Sequence, residues 1–174
     1  KGKSFEGATV AISGSGNVAQ FACQKVLYLG GIPVTMSDSS GWIHDPAGIS
    51  HEKLDYIIDL KNNRRGRLSE YADHFDGVEY TVAEPEPTVS GLWNINVDVA
   101  LPCATQNELD GEEVKMLVSN RVIAVAEGAN MPCTPEAVEV FQAGGVLFAP
   151  GKASNAGGVA TSGLEMSQNS LRMS

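Results

Sequence analysis

The chain has 174 residues and a formal net charge of −9 at neutral pH, which suits one ordinary domain with a sizeable core. The acidic balance argues against general nucleic-acid binding, because no overall positive field draws in a polyanion. No stretch approaches a membrane span and no basic, apolar start resembles a signal peptide, so a cytoplasmic setting without a membrane partner is expected.

Cys23, Cys103 and Cys133 are widely spaced, with no Cys-x-x-Cys, and read as buried thiols of a reducing compartment. His44, His51 and His74 are scattered on polar stretches, so no metal site and no Cys/His nucleophilic pair is expected.

The first informative stretch runs from Ala8 to Ala19. Val10 and Ile12 lie among small uncharged residues, as in a strand covered on both faces of a parallel sheet. Gly14 and Gly16 stand where that strand must turn and where backbone must approach a bound group, and Ala19 lets the next helix pack tightly. The unpaired N–H groups and positive dipole end of that helix suit a pyrophosphate. The helix is expected over 17–29, with Val18, Phe21, Ala22, Val26 and Leu29 on its apolar face and Gly30 and Gly31 ending it.

A second apolar run, 32–38, reads as one strand ending in Asp38, roughly 20 residues beyond the glycines, where a dinucleotide fold places the acid that meets the adenosine ribose. Residues 39–48 read as a loop, and Ser50 as the cap of a helix carrying Leu54, Ile57, Ile58 and Leu60. Lys61, Arg64, Arg65 and Arg67 then form the one basic cluster of an acidic chain, a solvated helix end unless an extra phosphate lies nearby. A short helical piece over 68–75, an extended piece over 78–82 and a proline-stiffened connection over 84–88 follow.

Strands are expected again at 97–102, 122–126 and 146–149. Helices are expected at 111–119 and from Thr134, an N-cap with Pro135 at the first helical position, to Ala143. The stretch 150–158 reads as a polar loop leading into a last helix with Val159, Leu164 and Met166. Strands alternating with helices, each strand closing in a polar loop, indicate an α/β doubly wound parallel sheet of Rossmann type, with the loops along one rim. The strand that begins almost at once, and the final helix that stops at Ser174 without a capping glycine, lead us to expect a dinucleotide-binding domain over 1–174 cut from a larger enzyme.

Five motifs carry a resemblance: Ser13 to Ala19, Ser37 to Gly41, Leu101 to Leu109, Ala126 to Pro132 and Pro150 to Met166. Together they resemble the cofactor-binding domain of hexameric, small-subunit glutamate dehydrogenases, over nearly the whole chain except 76–96. The resemblance implies that Gly14, Ser15, Gly16, Asn17 and Val18 hold the pyrophosphate and its riboses, and that Asp38 and Ser39 meet the adenosine ribose. It implies that Ala104, Thr105 and Gln106 line the nicotinamide ribose, and that Asn130 and Asn155 approach the nicotinamide. Ser162 resembles the family's hydroxyl for the substrate side-chain carboxylate, with Val159 shaping the same pocket. An amide stabilising its own loop is the plainer reading of Asn130 and Asn155, and an ordinary small helix residue that of Ser162.

The family's catalytic lysine and aspartate belong to a separate substrate domain, so no catalytic acid or base is expected in these residues. The chemistry implied for a complete homo-hexameric enzyme is reversible oxidative deamination of L-glutamate to 2-oxoglutarate and ammonia. Asp38 alone favours NAD, since an acid that binds ribose hydroxyls repels a 2′-phosphate. Ser39, Ser40 and Lys61, with Arg64 or Arg67, shift the expectation to NADP, with NAD possible. A leucine, valine or phenylalanine dehydrogenase, and a dinucleotide-binding module without a reaction of its own, are the alternatives.

Overall fold

The computed structural model describes residue 2 and residues 4–83 and 91–171. The expected connection over 84–88 lies outside the described residues.

Strand β1 (Thr9–Ile12) leads through the Gly14 turn into helix α1 (Asn17–Tyr28), and β2 (Ile32–Pro33) returns parallel to β1, with Thr9 opposite Ile32. The run expected as a single strand over 32–38 divides at Val34. Beyond it, β3 (Thr35–Asp38) leaves the sheet and pairs antiparallel with β4 (Gly41–His44). Hydroxyls replace the ladder where β3 departs. Ile12 N donates to Thr35 Oγ1 at 2.8 Å, Thr35 Oγ1 donates to Ile12 O at 3.0 Å, and Gly14 N donates to Ser37 Oγ at 2.7 Å. The expected loop over 39–48 is thus partly strand. Gly41–His44 shows no clean alternation, since Trp42 and Ile43 are both buried, and besides the adjacent β3 its second partner is a strand remote in sequence.

Helix α2 (His51–Ile58) is capped by Ser50, whose side chain accepts from Lys53 N, and continues as a π-helical turn over Asp59–Asn63. Helix α3 (Ser69–His74) and strand β5 (Glu79–Val82) follow, β5 completing a three-stranded antiparallel sheet in the order β3-β4-β5. Strand β6 (Val99–Leu101), helix α4 (Gly111–Ser119), strand β7 (Ala124–Ala126), helix α5 (Pro135–Ala143) and strand β8 (Leu147–Ala149) then alternate. Asp110 and Glu113 form a capping box on α4, and Thr134 caps α5 with Pro135 behind it, as the composition of that turn predicts. The expected loop over 150–158 instead holds a short helix, α6 (Gly151–Ser154), and the start of α7 (Ala156–Ser170).

The main sheet is parallel throughout, in the order β2-β1-β6-β7-β8. Alternate residues of β1 enter different cores, as a period of two requires. Val10 and Ile12 pack with Cys23 and Val26 of α1, Leu54 and Ile57 of α2 and Met36 of β3, whereas Ala11 packs with Leu117 of α4 and Phe141 of α5. The sheet is therefore doubly wound, as the pattern predicts.

One expected face is corrected. Helix α1 buries Ala19, Gln20, Cys23 and Val26, while Val18, Phe21 and Leu29 are exposed. Val26 is buried as expected, but toward the start of the helix Ala19 and Cys23 turn inward in place of Val18 and Phe21, because the helix starts immediately after a tight turn and lies close to β1. Among the described residues, no helix is long and apolar enough to cross a membrane.

Candidate dinucleotide site

The main-sheet order turns at β1 and β6: the chain proceeds from β1 to β2 on one side and from β6 to β8 on the other. In an open parallel sheet the crevice beyond such a switch point is where ligands enter. Gly14 makes that crevice possible. Its φ is +80°, and a Cβ there would stand 2.8 Å from Cys103 O and 3.1 Å from Ala104 Cα, so only glycine lets the two strand-end loops pass. Gly16 differs. Its φ is −80°, a Cβ there would meet nothing within 4 Å, and it begins α1 without any side-chain cap. Among the described residues no side chain caps the start of α1 and the space beside Gly16 is open, an arrangement that suits an anion.

The resulting cleft encloses about 520 Å³. Gly14, Ser15, Gly16, Asn17, Val18, Asp38, Ser39, Ala104 and Thr105, all singled out by sequence, line it. Gln106 lies in the same exposed turn as Thr105 but not on the lining. A wider opening of about 820 Å³ shares Val18 and Ala104 and continues to Asn130, Asn155 and Val159. Ser162 lines neither opening; it stands exposed three residues beyond Val159 on α7. A third hollow, of about 460 Å³, lies at the other ends of the strands between Phe5, Val99 and Leu147. It is mostly apolar, and of its two acids, Glu6 and Asp98, the latter is committed to Thr9.

At the Asp38 end the chain builds a charge network. Asp38 Oδ2 accepts from Lys61 Nζ at 2.9 Å and from Leu68 N at 3.1 Å, and Oδ1 accepts from Ser40 N at 2.8 Å. Burial pushes this carboxyl toward its neutral form, but the Lys61 ammonium and the Ser40 and Leu68 amides outweigh it and hold the group below the ordinary aspartate range. The π-helical turn after α2 presents Lys61, which also donates to Gly66 O at 3.0 Å. Arg67 Nη1 donates to Ser39 Oγ at 2.8 Å. Of the two arginines considered from sequence, Arg67 joins this network. Arg64 instead pairs with Asp59 at 3.0 Å and lies over the Tyr56 ring. Asp38, which lines the cleft with Ser39, is thus already paired within the chain, and Lys61 and Arg67 are bonded to these two residues, a charge balance that tolerates a phosphate nearby.

At the opposite end, Asn155 Nδ2 donates to Gly128 O at 3.2 Å and to Ala129 O at 2.9 Å. Its amide holds the β7 loop to the α6–α7 junction, which is the plainer reading weighed from sequence. Glu127 supports the same junction. It is buried, accepts from Gly151 N at 2.6 Å and Cys133 N at 3.3 Å, and its carbonyl accepts from Ser154 Oγ at 2.5 Å. Sequence reasoning did not single out Glu127, Glu108, Ser13 or Ser37, because each acts on backbone that is remote in sequence or bent by the turn.

Burial raises all three thiols, Cys23 and Cys103 to about 12, so none is a ready nucleophile. Among the described residues no group of three His, Cys, Asp or Glu side chains is clustered as a metal ion needs.

The glutamate/leucine/phenylalanine/valine dehydrogenase family profile matches residues 1–174. The chain belongs to that family. It is 57% identical over 174 residues to an NAD(P)-specific glutamate dehydrogenase of Xylanibacter ruminicola, covering 100% of this chain and 38% of that protein. It is 54% identical over 172 residues to the NADP-specific glutamate dehydrogenase of Escherichia coli, covering 99% and 37%. The crystal structure of Plasmodium falciparum glutamate dehydrogenase superposes with a TM-score of 0.84 at 45% identity, over 93% of this chain and 33% of that one. The chain thus spans well under half the length of these family members. The doubly wound fold is what it shares with the Plasmodium falciparum structure over 93% of its length.

Proposed function

We propose that this chain is the dinucleotide-binding domain, over 1–174, of an NADP(H)-dependent glutamate dehydrogenase. The observation that carries the reading is the uncapped α1 N-terminus at the switch point, flanked by an aspartate whose charge Lys61 has already cancelled. The glycine crossing fits the flat backbone approach a pyrophosphate needs. Residues 14–18 would hold the bisphosphate, Asp38 and Ser39 the adenosine ribose, with Lys61 and Arg67 beside a 2′-phosphate. Ala104, Thr105 and Gln106 would line the second ribose, and Asn130 and Asn155 the nicotinamide. Val159 and Ser162 on α7 would face the substrate, glutamate or 2-oxoglutarate.

A nicotinamide dinucleotide supplies hydride exchange with a substrate carbon. The chain's part is to fix and orient that group, from which a large share of rate enhancement can come. The activity of the whole protein is the reversible deamination of glutamate to 2-oxoglutarate and ammonia, in the cytoplasm and as a homo-hexamer. The names of the Escherichia coli and Xylanibacter ruminicola relatives support glutamate as the substrate, and NADP with NAD as a second possibility.

The test is Lys61→Ala in the whole protein. NADPH affinity is expected to fall much more than NADH affinity, and equal losses refute the NADP assignment. A panel of glutamate, leucine and phenylalanine then separates the substrates, with turnover of glutamate alone expected.

A further inference from the structure

One buried acid beneath the cleft has no part in the ligand reading. Glu108 is 7% exposed, and its Oε1 accepts from Ala104 N at 3.0 Å. The Ser13 hydroxyl bonds to the same carboxyl, and Ser13 Oγ accepts from Cys103 N at 2.8 Å. Glu108 therefore ties the end of β1 to the end of β6, the two strands whose divergence opens the cleft. Its other oxygen, Oε2, is buried and has no hydrogen-bond partner among the described residues.

The groups around it offer no compensating cation. Glu113 on α4 also carries a buried oxygen without a partner, and Glu108 raises its proton affinity by repulsion. Cys103 on the β6 loop and Cys133 before α5 face Glu108 as un-ionised thiols. Asp110 stands beside Glu113, and Glu127 beside Cys133. Among the described residues neither Glu108 nor Glu113 forms an ion pair. Burial of a carboxyl with one idle oxygen favours the uncharged state, and at Glu108 it outweighs the Ser13 hydroxyl and the Ala104 and Thr105 amides, which favour the charged one.

We propose that Glu108 is a positioning residue of the dinucleotide cleft that works in its uncharged form, so that seating the anionic bisphosphate at the α1 N-terminus takes up a proton at this carboxyl. The inference rests on the cofactor reading above. The turn and loop that Glu108 joins carry Gly14, Ala104 and Thr105 of the lining, so an anion placed there penalises a further negative charge beneath it. Burial pushes Glu108 up to about 7, which puts the exchange in the neutral range. By reciprocity, affinity for the dinucleotide rises as pH falls through that range.

The experiment is calorimetric titration of the whole protein with NADP⁺ and with NAD⁺, in two buffers of different ionisation enthalpy, near and about one unit above pH 7. Wild type is expected to take up a measurable fraction of a proton with either dinucleotide. Glu108→Gln keeps the Oε1 acceptor without a titratable proton. It is expected to lose the uptake and, at the higher pH, to bind roughly threefold or more tightly than wild type. Identical proton counts in the two proteins overturn the proposal, as does an affinity difference that is the same at every pH, the mark of a purely structural role. If the variant does not fold, NAD⁺ decides on wild type alone. It has no 2′-phosphate to titrate, so absence of uptake overturns the proposal. Failure of wild type to bind either dinucleotide removes the cofactor reading itself and this inference with it.

Discussion

At the Asp38 end of the cleft, Lys61, Ser40 and Leu68 saturate a buried carboxylate, and Arg67 is already bonded to Ser39. At the Asn155 end, α7 buries none of its residues and exposes Val159, Leu164 and Met166, and it is held to the sheet through Asn155, Ser154 and Glu127. The first end is preorganised by the chain's own packing, with its charge balance set before any ligand arrives. The second presents apolar side chains and hydroxyls that nothing in the described residues covers. On the proposed reading, recognition of the adenosine half therefore rests on this fold alone. Recognition of whatever meets α7 depends on a facing surface.

Substitutions at the two ends, and at the glycine crossing between them, sharpen that contrast. The largest effect is expected for Gly14→Ala. A non-glycine residue at φ +80° with a Cβ 2.8 Å from Cys103 O combines backbone strain with overpacking, about 2–5 kcal/mol together. Denaturant unfolding measures it. Gly16→Ala provides the control: with open space around its Cβ, stability is expected to change by no more than about 1 kcal/mol, while dinucleotide affinity drops because the methyl group intrudes on the phosphate approach.

Next is Lys61→Ala, which strands the Asp38 carboxylate. Its side chain is only 5% exposed and that of Lys61 17%, so the expected loss is about 3 kcal/mol or more. Asp38 titrates below its ordinary 3.8 in the folded chain. Its contribution to stability is therefore present above that pH and lost as pH falls through the folded value. Acid unfolding of wild type followed below about pH 4 should show this loss, and the variant should show a smaller slope there. An unchanged acid slope would mean that the network does not hold Asp38.

Asn155→Ala removes two hydrogen bonds to loop carbonyls and is expected to cost about 1–2 kcal/mol. The increase in hydrogen exchange should be confined to the β7 loop and the α6–α7 junction, with the Asp38 end unaffected. Spread of exchange to β3 would break the proposed independence of the two ends. The smallest effect is expected for Ser162→Ala. On an exposed helix position stability should move by no more than about 0.5 kcal/mol, and in the whole protein only the KM for glutamate should rise. A stability loss above that would show that α7 is packed, not bare.

Glu108 adds a pH dependence of the opposite sign to that of Asp38. Its folded value, about 7, lies above the ordinary 4.5, so its contribution is fully present below pH 4.5 and lost as pH rises toward 7. Glu113, raised in the same direction to about 7, behaves alike. The thermal unfolding midpoint across this range should decline with pH in wild type and decline less in Glu108→Gln, where Glu113 remains.

Much of this was legible in the chain before folding. The glycine pair after an apolar run, Ser50 and Thr134-Pro135 at helix starts, and Asp38 at its distance from the glycines are all local signals. Each depends on neighbours within a few residues or on a fixed spacing, and short-range sterics and hydrogen bonding decide such features wherever the segment ends up. The spacing of apolar residues likewise set the alternation of strand and helix, and with it the doubly wound sheet. Tertiary structure decided the rest. Which face of α1 turned inward depended on the tight approach of that helix to β1, which favoured Ala19 and Cys23 over Val18 and Phe21. The division at Val34 depended on β4 pairing with β3, and on β5 completing that second sheet on the far side of β4. The pairing of Lys61 with Asp38, and the joining of two strand ends by Glu108, bring together residues separated by long stretches of chain. Linear spacing carries no record of such contacts, because the energy that selects them appears only once the intervening segments have folded.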